Sequence, residues 1–120
     1  MSKRLLVVDD AMFMRMVIRD VAVEAGWGVV GEAADGEEAV DKYAQLQPDL
    51  VTLDLVMPKM GGLDALKKIL ALNPRAKVVI VSALDQKETL IETIRQGAAD
   101  FIVKPFERER IAGVLAKAAG

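Results

Sequence analysis

Short apolar runs recur along the chain and alternate with segments of helical periodicity. The runs are residues 5–8, 29–30, 50–53, 78–81 and 101–103. Most are continuous rather than alternating, as expected for strands that are buried on both faces of a parallel sheet. The second run is the shortest, and its flanking residues Gly28 and Gly31 predict an edge strand.

Between these runs, apolar residues recur at spacings of three and four, the period of an amphipathic helix. In the first such segment the pattern comprises Met14, Val17, Ile18, Val21, Ala22 and Ala25. The methionines of this region, Met12, Met14 and Met16, are interpreted as core and loop filling rather than as a binding stripe.

Helix starts and ends are marked by capping and breaking residues. Asp35 and Asp85 are each followed three residues later by Glu, which predicts capping-box starts for the second and fourth helices. Pro48, Pro74 and Gly97 fall where helices are expected to end. Five strand–helix units therefore fill residues 1–120, which predicts one α/β domain with a parallel sheet and helices on both faces.

Composition narrows the chemistry that this domain can perform. The 120 residues include no Cys and no His, which excludes disulfides, a thiolate nucleophile, His-ligated zinc, a Ser-His-Asp triad and a phosphohistidine donor. A net charge of −2 argues against binding to nucleic acid or to an acidic membrane surface. No apolar run approaches the ~20 residues that span a bilayer, so we expect a cytoplasmic protein.

Polar residues follow four of the apolar runs at their carboxyl ends. These residues are Asp9 and Asp10, Asp54, Ser82 and Lys104. In a parallel sheet the carboxyl ends lie at one edge, where open α/β folds bind their ligands. If the strand order is 2-1-3-4-5, the first and third strands are neighbours and the three carboxylates converge.

Three close carboxylates require nearby positive charge to stay ionised. Lys104 supplies one charge, and a hard divalent cation with oxygen ligands, Mg²⁺ being the natural choice, supplies the rest. Such a site can accept a phosphoryl group on a carboxylate nucleophile, for which Asp54 is the best candidate. Taken singly, the residues have simpler interpretations: Asp9 and Asp10 as a helix cap, Asp54 as a loop residue and Lys104–Pro105 as a surface turn.

Four segments together resemble the receiver domain of two-component response regulators. They are residues 6–10 (LVVDD), residues 51–62 (VTLDLVMPKMGG), residues 80–83 (IVSA) and residues 97–106 (GAADFIVKPF). The resemblance covers essentially the whole chain. Residues 9–16 (DDAMFMRM) are most similar to the single-domain chemotaxis regulators of this family.

The resemblance implies a flavodoxin-like sheet of order 2-1-3-4-5 and a role for each site residue. Asp54 is the implied phosphoacceptor, and Ser82 and Lys104 are implied to contact the phosphoryl group. The implied Mg²⁺ ligands are Asp10, Asp54 and the backbone carbonyl of Val56, with Asp9 assisting through water. Phe101 occupies the aromatic switch position, and Lys104–Pro105 corresponds to a cis peptide. The side chains of Val56 and Leu84 are implied to border the path of the hydrolytic water.

The implied function is that of a phosphorylation switch that assists its own phosphorylation and dephosphorylation, rather than a turnover enzyme. Its expected partners are a histidine kinase, the flagellar motor switch and a separate phosphatase, and it is expected to be a monomer. Because the chain ends after the fifth helix, we expect no output domain.

Two alternative functions fit the same residues. The first is a phosphorelay intermediate or the receiver of another regulator. Such a protein would be switched by phosphorylation in the same way but would bind a different partner. A haloacid-dehalogenase-like phosphatase also uses Asp, Mg²⁺, a hydroxyl and Lys. That class has Asp-x-Asp after its first strand, whereas this chain has Asp9-Asp10.

Overall fold

The computed structural model describes residues 3–119, so that Met1, Ser2 and Gly120 lie outside the described part. The strands are β1 (Arg4–Val8), β2 (Gly28–Ala33), β3 (Leu50–Asp54), β4 (Val78–Ala83) and β5 (Asp100–Lys104). The helices are α1 (Met12–Glu24), α2 (Gly36–Leu46), α3 (Gly62–Leu72), α4 (Lys87–Gln96) and α5 (Arg108–Ala119). Every predicted strand and helix is present.

The five strands form one parallel sheet of order β2-β1-β3-β4-β5, as predicted. β2 lies at the edge but is longer than its apolar run, because it continues through Gly31 to Ala33. The pairing of β1 with β2 shifts register, because Leu5 pairs with Val29 and Leu6 with Gly31, so that Val30 is an extra residue in β2.

Each face of the sheet carries a buried apolar layer. On one face α2, α3 and α4 cover a cluster that includes Leu6, Val8, Val51, Leu53 and Ile80. On the other face α1 and α5 cover a cluster that includes Leu5, Val7, Leu50, Val81 and Ile102. Successive strand residues thus alternate between two buried layers, which explains why the apolar runs are continuous.

Two of the predicted local features are wrong. Asp35 caps α2 and accepts a hydrogen bond from the Glu38 backbone N–H at 2.8 Å, as predicted. Asp85 caps no helix, because a 3₁₀ turn (Leu84–Gln86) connects β4 to α4 and Gln86 occupies the N-cap position. Met12 and Met16 are exposed rather than buried. They lie on the face of α1 opposite to the residues that pack against the sheet.

Trp27 is buried between α1 and the start of β2, so it lies at the amino edge of the sheet. The carboxyl edge, where the acidic residues lie, is at the other end of the strands. Within residues 3–119, none of the helices has the length and apolar character that crossing a membrane requires.

Candidate functional site

The pairing of β1 with β3 brings the acidic residues together. Val8 pairs with Leu53, so Asp9 and Asp54, one residue further along each strand, lie side by side at the carboxyl edge. Carboxylate oxygens of Asp9, Asp10 and Asp54 lie within 4.8 Å of one another. Asp9 and Asp54 are only 1% and 6% exposed, whereas Asp10 is exposed. The cluster is therefore a pocket with two buried acids and one at its mouth.

Lys104, the last residue of β5, reaches across the carboxyl edge into this pocket. Its Nζ lies 3.1 Å from Asp9 Oδ2 and 3.4 Å from Asp54 Oδ1. The peptide bond that follows, Lys104–Pro105, is cis. One ammonium group thus contacts two carboxylates, and the pocket keeps an excess of negative charge.

This environment shifts the pKa values of two groups. Burial raises the pKa of the Asp54 carboxyl to about 6, and the negative charge of Asp9 also raises it. The positive charge of Lys104 lowers this pKa but does not outweigh the other two effects. Burial acts to lower the pKa of Lys104, but its hydrogen bond to Asp9 and the charge of Asp54 outweigh burial and leave that pKa above 10.5. At neutral pH the pocket therefore holds a cation beside a carboxylate that binds protons more readily than usual.

The raised pKa of Asp54 predicts that the metal-free fold gains stability as the pH falls. The Asp54 carboxyl takes up a proton near pH 6 in the folded protein but only near pH 3.8 in the unfolded chain. The free energy of unfolding therefore increases as the pH falls from about 6 to about 3.8. We expect Asp54→Asn to raise that free energy by roughly 1–2 kcal/mol at about pH 7 and by much less at about pH 4.5.

Urea unfolding in the presence of a chelator at both pH values measures this difference. Asp41→Asn, on the exposed side of α2, is the matched control and is expected to show no such pH-dependent gain. An equal gain for Asp54→Asn at both pH values would show that charge at Asp54 does not destabilise the fold.

The donor atoms of the pocket suit a hard cation. Three carboxylates offer oxygen ligands only, and Lys104 neutralises just one of their charges. Oxygen-only sets of this kind bind divalent cations such as Mg²⁺ rather than the softer transition metals. The acidic cluster can therefore hold a metal ion.

The loop that follows Asp54 is fixed by two close backbone contacts. The Gly62 N–H donates to the Leu55 carbonyl at 2.9 Å, and a Cβ at Gly62 would lie 2.2 Å from the Asp54 carbonyl oxygen. The Gly36 N–H donates to the Met60 carbonyl at 3.0 Å, and a Cβ there would lie 2.3 Å from that oxygen. Only glycine fits at either position, so the loop has a defined path from β3 to α3.

The remaining candidate residues lie outside the acidic cluster. Ser82 is fully buried at the end of β4, and its Oγ donates to the Ala83 carbonyl at 3.0 Å. Val56 and Leu84 are exposed, in the loop after β3 and the 3₁₀ turn after β4 respectively. Phe101 lies further from the edge, where it pairs with Ile80 and is partly exposed.

Sequence reasoning missed two residues beside the pocket: Arg15, which contacts the backbone of Asp9, and Glu32, which contacts Arg15. Arg15 Nη1 donates to the Asp9 backbone carbonyl at 2.6 Å, and its Nε donates to Glu32 Oε1 at 3.0 Å. In the sequence, Arg15 appears as one of several polar residues on a helix. The available signal is its position, since a cation in the early part of a helix opposes the macrodipole.

Residues 5–116 match the response regulator receiver domain. The chain belongs to this family. Membership of the receiver family excludes the dehalogenase-like phosphatase and agrees with the parallel sheet and the acidic cluster described above.

The similar receivers include regulators of chemotaxis. The chain is 51% identical to the chemotaxis protein CheY of Thermotoga maritima over 117 residues, which cover 98% of each chain. It is 47% identical to CheY of Bacillus subtilis over 117 residues, with 98% of each chain covered. These similarities support a chemotaxis response regulator.

A solved structure agrees with the fold. The CheX–CheY–BeF₃–Mg²⁺ complex of Borrelia burgdorferi aligns with a TM-score of 0.91 and 34% identity, covering 98% of this chain and 89% of the matched chain. The structural neighbours are thus CheY-like receivers, as the family resemblance implies.

Proposed function

We propose that this receiver is a chemotaxis switch that accepts a phosphoryl group from a histidine kinase on Asp54. The observation that carries the proposal is the buried Asp54 carboxylate, held beside Lys104 and two further acids at the carboxyl edge of the sheet. A carboxylate nucleophile with a cation next to it is the arrangement that phosphoryl transfer to a side chain requires.

The chemical step makes Asp54 an acyl phosphate. An ionised Asp54 oxygen attacks the phosphorus of a phosphohistidine and forms a new O–P bond. The N–P bond of the donor breaks, its electron pair stays on the imidazole nitrogen, and that nitrogen takes a proton from water. Lys104 Nζ, 3.4 Å from Asp54 Oδ1, lies where it can pair with the transferred phosphoryl oxygens.

We assign the metal site to Asp10, Asp54 and the Val56 carbonyl, with Asp9 acting through water. Mg²⁺ bound there would neutralise charge on the phosphoryl oxygens. Two features support the assignment: the carboxylate oxygens lie within 4.8 Å of one another, and close backbone contacts hold the loop that carries Val56. With its pKa near 6, Asp54 is mostly ionised above neutral pH and available as the nucleophile.

Ser82 and Phe101 are proposed to transmit the phosphorylation state. The Ser82 hydroxyl would leave the Ala83 carbonyl and donate to the phosphoryl group, which moves the end of β4. Phe101 lines a groove of 420 Å³ with apolar residues of β4 and α4, including Leu90 and Ile94. Movement of β4 would let the ring turn inward and remodel the surface of α4, β5 and α5 that a partner reads.

The proposed partners follow from the receivers to which this chain is similar. We assign the kinase as donor and the flagellar motor switch as the phosphorylation-dependent partner, with a monomer acting in the cytoplasm. The Borrelia structure pairs CheY with CheX. This pairing supports a further partner for this chain. We propose that this partner is the separate phosphatase that the family resemblance implies.

The function is tested by phosphorylation-dependent binding to a purified flagellar motor switch protein. Acetyl phosphate with Mg²⁺ should place one phosphate on each chain and strengthen this binding, and Asp54→Asn should remove the effect. Equal binding with and without acetyl phosphate would contradict the motor assignment. Transfer of the phosphate to a phosphotransfer protein would instead identify a relay intermediate.

The lifetime of the phosphoryl group is predicted to be long. Val56 and Leu84 are exposed, apolar and unable to orient a water molecule by hydrogen bonding. A positioned polar group commonly contributes about 10²–10⁴-fold to such a step. We expect the double variant Val56→Asn, Leu84→Glu to lose its phosphate at least about 10-fold faster than the wild type, because both new side chains can hold the water in line.

Decay of the phosphorylated protein after removal of acetyl phosphate measures this lifetime. The matched control is Val23→Asn, Leu72→Glu, which makes the same two changes at exposed positions on α1 and α3. Decay that is unchanged in the first double variant, or equally accelerated in the control, would show that Val56 and Leu84 do not govern water access.

A further inference from the structure

The backbone of Asp9 is held on both sides by residues outside the acidic cluster. Its N–H donates to the Ala33 carbonyl of β2 at 3.0 Å. Its carbonyl accepts a hydrogen bond from Arg15 Nη1 at 2.6 Å. The carbonyl belongs to the peptide group that joins Asp9 to Asp10. Arg15 therefore fixes the plane of the peptide from which Asp10 begins.

Arg15 is itself held in a defined orientation. Its Nε donates to Glu32 Oε1 at 3.0 Å, and the other oxygen of Glu32 accepts from Arg19 Nη1 at 2.8 Å. The Arg15 side chain is only 16% exposed, compared with 53% for Arg19. A guanidinium has a rigid planar fork of donors, so one bond to Glu32 and one to Asp9 set its position.

Asp10 needs such support because the protein surface does not enclose it. Asp9 is buried and accepts hydrogen bonds from Lys104 and from the Ala11 N–H, whereas Asp10 is exposed. Packing therefore does not fix the Asp10 side chain. The direction in which this side chain points depends on the orientation of the Asp9–Asp10 peptide, which Arg15 holds. A metal ligand gains affinity when its direction is set before the ion arrives.

The start of α1 departs from the usual preferences of helices in a way that fits this role. Its N-cap is Ala11, which offers no side-chain cap, and its first turn contains no acidic residue. A cation so near the N-terminus is electrostatically unfavourable for the helix. Local preferences broken together in this way are typical of functional positions.

We propose that Arg15 is a positioning residue for the metal site: it orients the Asp9–Asp10 peptide so that the Asp10 carboxylate faces the ion. Glu32 supports this role by aligning the guanidinium. The proposal rests on the proposed function only in taking the acidic cluster as a Mg²⁺ site. In this proposal Arg15 acts through the Asp9 backbone carbonyl that it contacts, and it is not itself a ligand of the ion.

The sign of the effect separates positioning from simple electrostatics. Arg15 is positively charged and lies beside the cluster, so its charge repels Mg²⁺. If charge alone mattered, Arg15→Gln would bind Mg²⁺ more tightly than the wild type. Positioning predicts the opposite, a loss of affinity, because the Asp9–Asp10 peptide is no longer held.

The experiment is a calorimetric Mg²⁺ titration of the full chain and three variants. Arg15→Gln is expected to weaken binding by about 10-fold, the lower end of what loss of an outer-shell partner commonly costs. Arg15→Lys keeps the charge but lacks the planar fork, so it should also bind more weakly than the wild type. Arg19→Gln is the matched control, since it removes the other partner of Glu32 without contacting Asp9 and should retain wild-type affinity.

A second readout needs no metal. The Ala11 N–H donates to Asp9 Oδ1 at 2.9 Å, so its hydrogen exchange in the metal-free protein reports whether the Asp9–Asp10 segment is held. We expect faster exchange in Arg15→Gln than in Arg19→Gln. Thermal unfolding of all variants detects any general loss of fold.

Unchanged or tighter Mg²⁺ binding in Arg15→Gln would overturn the proposal, as would an equal loss in Arg19→Gln. Failure of the proposed function is a different result. The wild type would then bind Mg²⁺ and respond to Arg15→Gln as expected, yet take up no phosphate on Asp54.

Discussion

Asp54→Asn is expected to reduce phosphoryl incorporation from acetyl phosphate by at least about 100-fold, because it removes the nucleophile while leaving its surroundings in place. The Asn side chain has nearly the same shape as Asp, and its oxygen can still accept from Lys104. We therefore expect Asp54→Asn to keep the fold, in agreement with the gain in metal-free stability predicted above for this variant. Intact-mass measurement of the phosphorylated protein with Mg²⁺ present gives the incorporated fraction.

Asp41→Asn serves as the control for a general effect of losing an aspartate. It lies on the exposed side of α2 and should be phosphorylated like the wild type. Incorporation into Asp54→Asn at the wild-type level would mean that another residue is the acceptor. Peptide mapping would then identify that residue, and the assignment of Asp54 would be wrong.

Asp10→Ala is expected to weaken Mg²⁺ binding by at least about 10-fold, since even the loss of an outer-shell partner commonly costs 10–100-fold. Asp10 is the exposed member of the cluster, so its removal leaves no buried cavity. Removing one of three mutually repelling carboxylates should also stabilise the metal-free fold slightly. Calorimetric titration measures the affinity, and urea unfolding with a chelator measures the stability.

The matched control for Asp10→Ala is Asp20→Ala, another exposed aspartate on the neighbouring helix α1. It is expected to leave Mg²⁺ affinity unchanged. If Asp10→Ala also retained wild-type affinity, the ion would be held without Asp10. Arg15 would then have no metal ligand to position, and that proposal would be wrong. The assignment of Asp54 as the acceptor would be unaffected.

Much of the architecture can be predicted from the sequence because burial on both faces leaves a clear pattern. Continuous apolar runs indicate strands of a parallel sheet, and the polar residues that end them lie at one edge. The convergence of Asp9, Asp54 and Lys104 follows from strand order and register, once the order is taken from the family resemblance. Secondary structure and the edge that carries the site are thus local properties of the chain.

Features that depend on contacts between distant segments could not be predicted in this way. The bond from Arg15 to Glu32 joins residues 17 positions apart, and no local pattern links them. The methionines of α1 are interpreted from sequence as core and loop filling, yet Met12 and Met16 lie at helical positions that face away from the sheet. Asp85 fits a capping box in sequence, but it lies within a 3₁₀ turn, and Gln86 is the residue that precedes α4.

The close glycine contacts after β3 also constrain how this receiver can diverge. Gly62 and Gly36 leave no room for a side chain beside the Asp54 and Met60 carbonyl groups. The Val56 side chain, in contrast, is exposed and can vary without disturbing these contacts. Under the role proposed for Val56, a substitution at this exposed position would change the duration of the signal while the backbone path of the loop stays the same.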